Sequence, residues 1–197
     1  MKNIIAILLL SLLILGCSKD SNTTDNNIND LTSGSDSPNT AHFNFAAVEK
    51  QAKTLDSNSR LKSISAENVK IDGTADSWIF KYSSVNIGSY TSKYFYFRSF
   101  DKTVKCDSII ETKTTVGDAF ISETWFNSDK AISIAENSGG KNFRDENPDN
   151  AISASLSQAV IYNASPTWYI QYSSKTNKEK NFRIIVNAVN GSFSLFQ

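Results

Sequence analysis

Histidine, methionine, cysteine and proline are almost missing from this chain of 197 residues, which holds one, one, two and three of them. With His42 as the sole histidine no cysteine–histidine metal cluster can form, and neither a phosphate loop nor a dinucleotide fingerprint occurs. His42 stands at a helix start, and a frayed end is a poor frame for a Ser-His-Asp or Cys-His device, so it reads as a solvated surface side chain. Charge of one sign is also missing. The 20 basic and 20 acidic side chains cancel, which removes the long-range field that draws in nucleic acid. Asp145, Asn147 and Asp149 have the first spacings of a calcium loop. The loop's glycine position holds Asn150 and its closing glutamate position holds Leu156, so a solvated helix-to-strand turn accounts for them. No carboxylate dyad is found, and neither enzyme chemistry, metal nor cofactor is expected. What is plentiful is aromatic: 12 Phe, 7 Tyr and 3 Trp. Each buried ring removes a large apolar area from water, so the core must carry the stability.

Long apolar runs are scarce as well. Lys2 precedes an almost unbroken stretch from Ile4 to Leu15, twelve residues where a membrane-spanning helix needs roughly 20. A positive start, a short apolar core and a small residue before Cys17 make a secretory signal. The segment "ILGC" resembles the lipobox of bacterial lipoproteins, which implies cleavage after Gly16 and lipidation of Cys17. Acyl chains enter the bilayer with about 0.8 kcal/mol per CH₂, so the expected partner of Cys17 is a membrane. Ser18 stands where the inner-membrane retention signal carries Asp, which favours the outer membrane and leaves open whether the protein faces the periplasm or the surface. Residues 1–16 are read as the signal and 17–40 as the lipidated cysteine with a Ser/Asn/Asp-rich tether, spanning roughly 25 to 30 Å as a coil. Cys17 being modified, Cys106 has no partner for a disulfide.

The rest of the chain repeats itself. "SWIFKYSS" at 77–84 and "TWYIQYSS" at 167–174 place Trp78, Phe80, Tyr82 and Trp168, Ile170, Tyr172 at the period of two that marks a strand with one buried face. Phe95 and Phe97 fall opposite Ile184 and Val186, and Cys106 opposite Leu195. Asn190-Gly191 between two alternating runs is a strong hairpin signal, for which the first copy offers the poorer Asp101-Lys102. Upstream of each set the spacing predicts a helix. The first carries Phe43, Ala47, Val48 and Leu55 on one stripe, with Ala52 beside them. The second starts at Ser128 as N-cap, carries Ala131, Ile134, Ala135 and Ser138, and stops at Gly139 or Gly140. The expected fold is α+β: two tandem repeats, 41–114 and 128–197, each one helix packed on an antiparallel sheet of about four strands, joined by a connector at 115–127. Trp78 should lie over Trp168 and Tyr82 over Tyr172.

Val186, Asn187, Ala188 and Gly191 resemble the last strands of a PepSY-like domain, and the tandem arrangement is similar to that of the β-lactamase inhibitor proteins. The resemblance implies an envelope binding or inhibitory module without catalysis. The reading carried forward is a lipid-anchored, non-enzymatic binding protein of the bacterial cell envelope. An inhibitor of an exported peptidase or other hydrolase is the alternative, and an envelope polymer hydrolase the second. If Trp78, Phe80, Tyr82, Phe95 and Phe97 face a helix, alternation sends Ile79, Lys81, Tyr94, Tyr96 and Arg98 to the opposite face. The second copy adds Tyr169, Gln171, Arg183, Ile185 and Asn187. This face is the expected site for a protein or peptide partner. The competing account is that its tyrosines only support the sheet.

Overall fold

The computed structural model describes residues 37–86, 91–113, 119–121, 124–159 and 164–196. Helix α1 (Phe45–Leu55) leads into strands β1 (Arg60–Ala66), β2 (Trp78–Asn86), β3 (Thr91–Phe100) and β4 (Thr103–Lys113). Helix α2 (Ser128–Ala135), a π turn over Glu136–Gly140 and α3 (Lys141–Glu146) precede β5 (Asn150–Gln158), β6 (Pro166–Ser174), β7 (Asn181–Asn187) and β8 (Phe193–Phe196). All eight strands form one antiparallel sheet in the order β4-β3-β2-β1-β5-β6-β7-β8.

This sheet overturns the expectation of two separate helix-on-sheet repeats. Each run of four strands is a meander, but the first strands of the two runs pair with one another, Ser63 with Ser157 through Ala66 with Ala154. Left apart, β1 and β5 would expose two rows of backbone donors and acceptors. On the helix-free side the joined edges carry only serines, Ser63 against Ser157 and Ser65 against Ser155, while Ile64 meets Leu156 on the core side. The helices are short, and their packing belongs to a shared core. Trp78 and Trp168 lie edge to face at 6.0 Å, and Trp125 meets Trp168 at 6.1 Å. Trp78 and Trp168 thus sit on the second strand of each run, and both are buried with Tyr82 and Tyr172.

Hydrogen bonds stitch the two halves together. Asn127 Oδ1 accepts from the backbone of His42 at 3.0 Å and of Ser128 at 2.7 Å, so Asn127 and not Ser128 caps α2. Ser128 Oγ instead donates to Gly73 O and accepts from Ala41 N. His42 is half-buried, its ring against Trp125 at 3.9 Å and Phe45 at 6.0 Å, which replaces the expected solvated histidine. Asn39 and Thr40, read as tether, are built into the fold: Thr40 is buried and Asn39 O accepts from the Trp78 indole. The expected connector supplies Ile121, Trp125 and Phe126 to the core.

Local signals explain most elements. Val48 and Ala52, one turn apart, bury the inner stripe of α1, while Leu55 stays exposed. The β7–β8 hairpin turns at Gly191, whose φ of +77° a larger residue would resist. Asp101 makes its poorer turn at φ +48°, held by Asn39 Oδ1 on its N–H and Asn44 Nδ2 on its carbonyl. Gly139 does not stop the second helix. The helix kinks there and continues to Glu146, because Gly140 lets it press against Tyr172: a Cβ on Gly140 would lie 2.7 Å from the phenol. Cys106 is buried against the core as expected, but its counterpart Leu195 is exposed.

Candidate functional site

Residues directly opposite in paired strands project to the same face, so the register identifies the face without helices. One row crosses all eight strands: Lys105, Arg98, Ile79, Ser65, Ser155, Tyr169, Ile185 and Ser194. The next row runs Ser108, Tyr96, Lys81, Ser63, Ser157, Thr167 and Asn187. Ile79, Lys81, Tyr94, Tyr96 and Arg98 are therefore brought to one side with Tyr169, Gln171, Arg183, Ile185 and Asn187, as alternation predicts. The helices cover the other side, where Trp78, Phe80, Phe97, Trp168 and Ile170 are buried.

The two flanks of this face differ in what they offer. On the β2–β4 flank the side chains satisfy one another. The Lys81 ammonium lies 4.3 Å from the ring centre of Tyr94 and 5.4 Å from that of Tyr96, and Lys62 adds a second cation at 5.2 Å from Tyr94. Arg98 Nε donates to Asp107 Oδ2 at 2.8 Å. Tyr94 is only 8% exposed and lies beneath the two lysines. Lys81, Tyr96 and Arg98 remain half-exposed. On the β6–β8 flank Tyr169 is 41% exposed. It lines, with Arg183, Ile185, Gln171, Phe196 and Ser155, a depression of about 350 Å³.

Sequence reasoning missed the middle of the face. Ser63 and Ser65 of β1 meet Ser157 and Ser155 of β5 and form a floor of small hydroxyl side chains between the two aromatic and cationic flanks. The signal was present: serine alternates with aliphatic residues in "KSISA" and "ISASLS". Its meaning depends on the pairing of β1 with β5. The described cations of this face, Lys62, Lys81, Arg98, Lys105 and Arg183, outnumber Asp107 and Glu67. A chain with balanced charge thus gathers a positive excess on its helix-free side.

The calcium-loop spacing does not assemble a site. Asp145 pairs with Lys141, Asn147 closes the end of α3 on Phe143 O, and Asp149 accepts from Thr176 N and from Ser174 Oγ. These hydrogen bonds, from Thr176 above all, hold the Asp149 carboxyl below the usual carboxylate range. The residues form the helix-to-strand turn expected, between α3 and β5. Among the described residues no group of three or more histidines, cysteines or carboxylates is placed to hold a metal. Cys17 lies outside the described residues. Comparison with protein families, with curated proteins and with solved structures found no match to this chain, so the PepSY-like resemblance stands on the residues quoted for it.

Proposed function

We propose that this chain is a lipid-anchored, non-enzymatic binding protein of the bacterial cell envelope that takes a protein partner on its helix-free sheet face. The observation that carries the reading is the row of paired positions crossing all eight strands, with a serine floor between two flanks of tyrosine, arginine and lysine. Tyr and Arg dominate binding hot spots because they combine contact area with hydrogen bonding, and the positive excess suits an acidic surface. The signal, Cys17 and the tether support placement at the envelope. No helix among the described residues is long and apolar enough to cross a membrane.

Photo-crosslinking tests the face. A photoreactive residue in place of Gln171, which pairs with Arg183 on this face, should trap a discrete partner in an envelope fraction, and one in place of the exposed Glu49 on α1 should not. Tyr169→Ala with Arg183→Ala should lower the yield about 30-fold, the effect of losing roughly 2 kcal/mol at a hot spot. Equal trapping from both positions, or full trapping by the double variant, would remove this face as the site. Anchoring is checked by membrane fractionation, in which Cys17→Ser should release the protein from the membrane pellet.

A further inference from the structure

The sheet ends in two unlike edges. β4 is guarded: it is eleven residues long, carries Lys105, Asp107, Glu111 and Lys113, and is bent by a register shift opposite Tyr96 and Phe97. Charges and bulges of this kind discourage another strand from adding to an edge. β8, "FSLF", has no charge, proline or bulge, and all four of its residues are exposed. Phe193 and Leu195 pair with the buried Val186 and Ile184 and so lie on the helix side of the sheet, yet they remain 53% and 50% exposed.

We infer that β8 is the contact through which a second copy of this chain pairs, antiparallel, to continue the sheet. An isologous contact sets a surface against itself, so any net charge on it would be repelled, and β8 has none. Face and register are compatible as well. A two-fold axis at Ser194, perpendicular to the sheet, keeps the helices of both copies on one side. It places each Phe193 opposite the Leu195 of the other copy, which collects four large apolar side chains on the helix side. All four residues of β8 are exposed. The contact is short, four residues from each copy, so the dimer forms at high local concentration and dissociates on dilution. Its consequence is a sixteen-stranded sheet with two copies of the helix-free face side by side. The inference does not depend on what that face binds.

Sedimentation velocity on the chain from residue 17, with Cys17→Ser in every sample, reads the association directly. The weight-average mass should rise from monomer toward dimer with concentration, and Leu195→Lys should weaken the association at least tenfold. Mixing Leu195→Lys with Phe193→Glu should restore it, because the proposed register sets the new lysine against the new glutamate. Ile109→Lys on β4, at a site of similar exposure, should leave it unchanged. A second readout does not rely on the charged variants. Directly opposed residues of an antiparallel pair lie about 4.5 to 5.5 Å apart, within reach of a disulfide, so Ser194→Cys should form a covalent dimer on mild oxidation and Ser108→Cys should not. A monomer at every concentration, equal loss from Ile109→Lys, no rescue on mixing, or no Ser194→Cys crosslink would each overturn the inference.

Discussion

Tyr172 and Tyr82 occupy equivalent buried positions in β6 and β2, yet their hydroxyls have opposite fates. Tyr172 donates to Glu136 Oε1 at 2.9 Å, and Arg144 binds the same carboxylate through Nε and Nη2. Tyr82 Oη finds no hydrogen-bond partner among the described residues. Burial raises the titration of both phenols, so each stays neutral across the physiological range. A hydrogen bond to a charged group contributes about 1.5 to 3 kcal/mol, whereas an unsatisfied buried hydroxyl only adds a desolvation cost. Tyr172→Phe should therefore destabilise the fold by that amount in urea denaturation, and Tyr82→Phe should leave it unchanged or stabilise it by up to about 1 kcal/mol. Asp56 supplies a pH test. The Ser84 hydroxyl, which donates to Oδ2 at 2.7 Å, is the main cause that lowers its carboxyl below the ordinary value of 3.8. A depressed folded pKa contributes stability that is complete above 3.8 and is lost as pH falls through the lower folded value. Ser84→Ala should thus cost stability at pH 7, and the difference from the parent attributable to this carboxylate should fade as the pH falls below 3.8 through the lower folded value.

At the scale of elements, the π turn is the feature most sensitive to a single methyl group. Gly139 has φ +128° and Gly140 lies against the Tyr172 ring, with Ala135 O 2.9 Å from where a Cβ would stand. Gly140→Ala should lower the thermal midpoint through a loss of about 1 to 3 kcal/mol, as overpacking does. The same change at the exposed Ser133, on the outer side of α2, should have little effect. In sequence the glycine pair reads as a helix stop, the ordinary meaning of such a pair after an apolar stripe. That the helix instead bends and resumes is decided by a ring contributed from β6, more than thirty residues further on. The Asp101-Lys102 hairpin teaches the same lesson in reverse. Its poor local chemistry is offset by Asn39 and Asn44, two side chains from outside the strands.

For the whole molecule, the joined sheet and the shared tryptophan cluster predict a single cooperative unfolding transition. Far-UV circular dichroism and tryptophan emission should trace coincident denaturation curves, and Trp78→Ala and Trp168→Ala should each shift the whole curve, by about 3 to 5 kcal/mol for an aromatic-to-alanine change in a core. Two separable transitions would mean that each half holds itself together. The sequence by itself determined which way the side chains of each strand point. Period-two alternation set Trp78, Phe80, Tyr82, Phe95 and Phe97 against the helices and Ile79, Lys81, Tyr96, Arg98, Tyr169 and Arg183 on the other side, and the hairpin at Gly191 was equally plain. These are local matters, settled by backbone geometry and neighbouring polarity. Tertiary structure alone decided that β1 pairs with β5, that Tyr94 is covered by two lysines, and that four serines form the floor of the face. Strand pairing is made by backbone groups that every residue carries, and small side chains such as Ser63 and Ser155 mark no partner in the sequence. Only the fold as a whole, by leaving those two edges nowhere else to hydrogen-bond, brings them together.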